Sequence, residues 1–137
     1  MPSRDSISNA PSWVRIHADC LHVLALAPPA ALPKERLMAV VNYHLERLYE
    51  SAVAHFTFEE QAGYLKRLPK ERPDLALQTE RLHEQHGVLT RMLTELIQQS
   101  RMGSNFRVLS DRIAELVEQI EAHEHEEQQL LSATHAA

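Results

Sequence analysis

A chain of 137 residues is the size of one domain with one core and too short for two ordinary domains. Apolar residues make up 44% and charged residues 24%, which excludes both a disordered tail and an integral membrane protein. The net charge of -5 argues against a nucleic-acid partner, and three glycines cannot supply the turns of a β-sandwich or barrel, so the expected fold class is all-α.

Prolines at 2, 11, 28, 29, 33, 69 and 73 mark the joints, because proline inside a helix costs about 3 kcal/mol. Residues 1–11 read as a disordered N-terminal segment. The first helix is predicted from Ser12, a suitable N-cap, to Ala27. It places His17 on one face with Trp13, Cys20, Leu21 and Leu24, and His22 on a more mixed face. The second helix is predicted from Pro33 to about Leu68. Its stripe is Leu37, Val41, His44, Leu48, His55, Glu59 and Ala62. The third runs from Pro73 and Asp74 to about Arg101, with Leu75, Leu82, His86, Leu89, Leu93 and Leu96 on one face. Gly103 breaks the chain, and Ser104 or Asn105 caps the fourth helix, which is predicted to end near Ser132. That helix carries Leu109, Ile113, Leu116, Ile120, His123, Glu127 and Leu130, and residues 133–137 read as a frayed tail. Short joints between successive helices predict an up-down-up-down antiparallel four-helix bundle over residues 12–132, with a short first helix.

The chain holds nine histidines, and several fall on these apolar stripes. A polar group inside a core needs a partner. His55 and Glu59 stand four apart on one helix, as do His123 and Glu127 on another, so each pair shares a face. At about 1.5 Å per residue, the joints bring these pairs and His86 to one level. His17 reaches that level only if the stretch from Pro28 to Pro33 runs extended along the bundle. Four histidines and two glutamates suit iron, manganese or zinc, and a single cysteine excludes a thiolate-rich site. Two carboxylates on different helices can bridge two ions, and so few ligands leave open positions for O2, NO or water.

Three stretches carry a resemblance. They are His55-Phe56-Thr57-Phe58-Glu59-Glu60, Leu82-His83-Glu84-Gln85-His86, and His123-Glu124-His125-Glu126-Glu127. With H-F-x-x-E-E on the second helix and H-x-x-x-E on the fourth, the chain resembles the hemerythrin-like, or HHE cation-binding, family. The resemblance implies a non-haem di-iron centre, two iron ions bridged by oxo or carboxylate groups, with manganese or zinc as other candidates. It implies ligands at His55, Glu59, His86, His123 and Glu127, and a first-helix histidine, for which His17 fits better than His22. The residue four before His86 is Leu82, and Glu127 follows His123 by four, so the pattern resembles the four-histidine, two-glutamate variant of the iron-sulfur-repair and nitric-oxide-response branch.

Other residues have simpler expectations. His44 lies three turns from His55 and reads as an ordinary core histidine, while His83 stands open between a supporting and a surface role. His22, His125 and His135 read as surface residues. Glu60, Glu124 and Glu126 flank the ligands, either bonding their free ring nitrogens or forming a solvated acidic face. Tyr64, five residues past Glu59, is a candidate to point at the site, and Cys20 reads as a small buried hydrophobe.

The leading expectation is a metal-binding protein that binds or senses a diatomic ligand, O2 or NO, rather than an enzyme. The alternatives are an iron-handling or redox enzyme, reducing NO or peroxide or serving iron-sulfur repair, and a metal-independent helical regulator. A cytoplasmic protein without membrane association is expected, with a protein partner or self-association left open.

Overall fold

A computed structural model describes Leu21, residues 32–103 and residues 105–136. The expected disordered stretch 1–11, the Ser12 cap, His17, Cys20, His22, the connection after Pro28 and Ser104 lie outside the described residues. Of the expected first helix, Leu21 is helical, and its side chain is fully buried with the main apolar cluster.

Every regular element among the described residues is helical. Helix α1 spans Lys34–Gln61. Pro33 stands just before it, in extended conformation, and its carbonyl accepts from the Leu37 amide at 2.9 Å. A proline fits there because its missing N–H belongs to the turn that has no intrahelical acceptor. The apolar residues recur every three or four positions, and Leu37, Met38, Val41, Leu45, Leu48, Ala52 and Phe56 are buried.

The expected single helix from Pro33 to Leu68 is instead two. α1 stops at Gln61, and a short helix, α2, runs over Tyr64–Glu71. The Phe58 carbonyl accepts from both the Ala62 and Gly63 amides, at 2.9 and 2.8 Å, which closes the helix end. Gly63 makes this break possible. A Cβ there would sit 2.9 Å from the Glu59 Cα and 3.3 Å from the Glu59 carbonyl oxygen, both fixed backbone. Ala62, expected on the core stripe, is therefore exposed.

A 3-10 turn over Pro73–Leu75 leads into α3, Ala76–Arg101. Its buried face contains Leu82, His86, Leu89, Leu93 and Leu96, as the spacing predicted. Gly103 has φ 70, the left-handed region that favours glycine. Asn105 caps α4, its side-chain oxygen accepting from the Arg107 amide at 2.8 Å. α4 spans Phe106–Ala136, so the expected end near Ser132 is passed and most of the expected frayed tail is helical.

α3 packs against both α1 and α4. Asn42 donates to Ser100 at 2.8 Å, and Arg101 pairs with Glu46. Farther along, Glu60 meets His86, and Arg81 meets Glu126. The core has two apolar clusters. The larger runs from Leu37 to Phe56 on α1, with Leu89, Leu93 and Leu96 on α3 and Leu109 to Ile120 on α4. The smaller joins Tyr64, Leu65 and Leu68 of α2 to Leu75, Leu82 and Leu130. No helix among the described residues is long and apolar enough to cross a membrane.

Candidate metal centre

Between the two apolar clusters lies a polar layer. Glu59, His86, His123 and Glu127 are buried, and the His55 side chain is only 11% exposed. All five were expected at one level, and the structure brings them together. Glu59, His86 and His123 form one group whose ligand atoms lie within 4.8 Å of one another; His55, Glu59 and Glu127 form a second. Glu59 belongs to both.

The atoms facing each other there lie close but are poorly aligned for hydrogen bonds. His55 Nε2 lies 2.8 Å from one Glu59 oxygen and His86 Nε2 3.2 Å from the other. Yet the angles make no hydrogen bond, and Nε2 of His55, His86 and His123 and both Glu59 oxygens are buried without a partner. Such atoms cost roughly 1–3 kcal/mol each when left unsatisfied. A cation at their centre would satisfy several at once.

The outer ring nitrogens are fixed. His86 Nδ1 donates to Glu60 Oε2 at 2.7 Å, and His123 Nδ1 donates to Gln85 Oε1 at 2.7 Å. Gln85 is oriented in turn, since its amide nitrogen donates to Glu126 at 2.9 Å and Arg81 holds Glu126 at 2.7 Å. With Nδ1 as donor in both rings, each Nε2 presents a lone pair inward, the tautomer a metal ligand requires. Phe56 holds the ring planes. It stacks on His86 with centroids 3.8 Å apart and meets His123 edge-on at 5.7 Å.

The charges are divided unevenly. Burial pushes Glu59 up, but the imidazoles of His55 and His86 outweigh it and hold its carboxyl well below the usual range. Burial, then the close approach of the Glu59 carboxylate, which favours a proton shared between the two, and then its charge, push Glu127 up to about 9. Burial, reinforced by the charge of His86, pushes His123 down to about 4. Without metal, the layer therefore keeps one carboxylate charged and one protonated at neutral pH. Tyr64, expected only as a candidate, donates to Glu127 Oε2 at 2.6 Å. Burial and the Glu127 charge hold its hydroxyl far above the usual phenol range.

The remaining histidines separate by position. His83 is exposed, 3.3 Å from Glu60, so it touches the support of His86 rather than the centre. His44 is half-buried and His125 is exposed. His17 and His22 lie outside the described residues. Gln85 and Arg81 had no signal in the helical period, because their role depends on the facing helix. A small cavity of about 20 Å³ adjoins the layer, lined by Ala52, His55, Phe56, Leu89, Leu93, Ile120, His123, Glu124 and Glu127. No family model matches the chain, and no curated protein and no solved structure matches it.

Proposed function

We propose that this chain is a hemerythrin-like protein of the cytoplasm whose non-haem di-iron centre binds or senses O2 or NO. The observation that carries the proposal is the shared carboxylate. Glu59 belongs to both groups of potential ligands, and its two oxygens are buried without partners. A carboxylate so placed suits two adjacent cations. Imidazole and carboxylate donors suit iron, with manganese and zinc as competitors.

In this reading His86, His123 and Glu59 hold one ion, and His55, Glu127 and Glu59 hold the other. An antiparallel four-helix bundle is supported by the order of the pairings: Asn42 meets Ser100, whereas Glu60 meets His86. His17 is proposed as the ligand from the first helix. Leu21, four residues further on and fully buried, supports that face pointing inward.

Iron bound there would supply reversible redox chemistry and an open position for a diatomic ligand. The chain's own residues orient the rings, exclude bulk water and limit what enters. The cavity of about 20 Å³ has room for roughly one water-sized or diatomic molecule. Its aliphatic and aromatic walls favour a weakly polar guest.

Anaerobic reconstitution with Fe(II), metal counting and absorption spectra before and after separate exposure to O2 and NO test the proposal. About two irons per chain and a ligand-dependent spectrum are expected. His86→Ala or His123→Ala should abolish loading of their ion, and His125→Ala should not. Protein that takes up no iron, or equal losses in all three variants, would falsify the assignment. Multiple turnover of NO or peroxide would favour an enzyme over a sensor.

A further inference from the structure

The two rings assigned to one ion have unlike outer partners. His86 Nδ1 donates to a carboxylate oxygen of Glu60, and His123 Nδ1 donates to the amide oxygen of Gln85, both at 2.7 Å. The lengths are equal, but one acceptor is a carboxylate and the other a neutral amide. The Gln85 amide is fixed by its own bond to Glu126, whose charge Arg81 offsets at 2.7 Å. Glu60 has no such cation on it; exposed His83 lies 3.3 Å from the oxygen that His86 uses. Both rings are buried, and His86 is held flat against Phe56, so neither can turn to exchange its partner.

We propose that Glu60 and Gln85 are positioning residues that make His86 and His123 unequal donors to one ion, with His86 the stronger. The proposal rests on the metal-centre reading above. A ring whose Nδ1 proton is drawn toward a carboxylate gains electron density, and its Nε2 becomes the more basic ligand atom. A neutral amide draws the proton less. An electron-rich nitrogen favours Fe(III) over Fe(II), so the Glu60 contact lowers the reduction potential of the ion that His86 holds. Orientation alone needs no carboxylate, because an amide holds a ring as well, as Gln85 does for His123.

Two measurements test it. In proton NMR of metal-free and zinc-loaded protein, the Nδ1 proton of His86 should lie downfield of that of His123, and Glu60→Gln should move it upfield. In protein reconstituted with Fe(II), a redox titration compares wild type, Glu60→Gln and Glu84→Gln. Glu60→Gln keeps an oxygen for the ring and loses the charge. Its ratio of Fe(III) to Fe(II) affinity should fall about tenfold, a rise of about 59 mV in potential for a one-electron couple. Glu84→Gln removes an exposed charge two residues from His86 and should leave the potential unchanged. A Glu60→Gln with the potential and the His86 proton shift of the wild type overturns the proposal, because Glu60 would then only orient the ring. An equal rise in Glu84→Gln also overturns it, because any nearby charge would then serve. If Glu60→Gln does not fold, the wild-type order decides, and a His86 proton level with or upfield of that of His123 overturns the proposal. Protein that takes up neither iron nor zinc overturns the metal reading itself, a result that the metal-free NMR spectrum keeps separate from the others.

Discussion

His123 shows how a buried ring nitrogen is left bare and turned inward. Its inward nitrogen is bare only because its outer nitrogen donates to Gln85, and Gln85 is turned the right way by Glu126 and Arg81. Gln85→Leu removes the acceptor and leaves the ring held only by packing, edge-on against Phe56 and His86. Metal affinity is expected to fall about 10- to 100-fold, as for the loss of other such supports. A titration against a competing chelator checks this, and an unchanged affinity would mean that packing alone orients the ring. Glu127 gives a pH prediction. Its carboxyl is pushed up to about 9 in the folded, metal-free protein, whereas the unfolded chain ionises near 4.5. Between those values the folded state binds more protons than the unfolded state, so stability falls as pH rises. His123, pushed down to about 4, acts in the opposite sense but only below its ordinary value of 6.5. Over the window from pH 7 to 9, therefore, Glu127 acts without opposition from His123. The melting temperature of metal-free protein should fall across it, and Glu127→Gln should remove the slope. In the proposed centre, a metal ion held by Glu127 would displace the same proton, so affinity should rise with pH over that window.

At the scale of an element, the break between α1 and α2 is the feature on which Tyr64 depends. Gly63→Ala would drive a methyl group against the backbone of Glu59, which has no room to yield without moving the Glu59 carboxylate. A loss of about 1–3 kcal/mol is expected, together with weaker metal binding. Gly87 offers the contrast. It is an exposed residue inside α3 with nothing within 4 Å of an added Cβ, and its φ is not in the left-handed region. Gly87→Ala should stabilise by about 0.5–1 kcal/mol through helix propensity alone, leaving metal uptake unchanged although His86 is adjacent. Denaturant unfolding of the two variants distinguishes the roles. If both glycines behave alike, the close approach at Gly63 is not what sets the break.

Over the whole molecule, the polar layer separates the larger apolar cluster from the smaller one. Leu82 and Leu130 close it on one side, and Phe56, Leu89 and Ile120 on the other. The layer unites α1, α3 and α4, so a ligand bound only by the native state should stabilise the whole bundle. At a free metal concentration 100-fold above Kd the gain is about 2.7 kcal/mol, or roughly 10 °C in melting temperature for a domain of this size. Calorimetry with and without chelator measures it. A melting temperature indifferent to metal would favour the reading as a metal-independent helical regulator.

The all-helical class and the buried faces of α3 and α4 follow from the sequence itself, because a period of three and four is a local property of the chain. The same property put His55, Glu59, His86, His123 and Glu127 on inward faces, and the structure buries four of them and nearly buries the fifth. Periodicity failed at Ala62, since a helix end set by a close backbone approach leaves no trace in hydrophobic spacing. It was also silent on Gln85, whose partner His123 lies 38 residues away. Only the tertiary structure decided that Glu59 is shared between two groups, that Tyr64 pins Glu127, and that each anchored ring turns its bare nitrogen inward. Those facts are contacts between helices. The faces a helix presents are set by its own residues, but the atoms that meet across a core are set by how the faces pack.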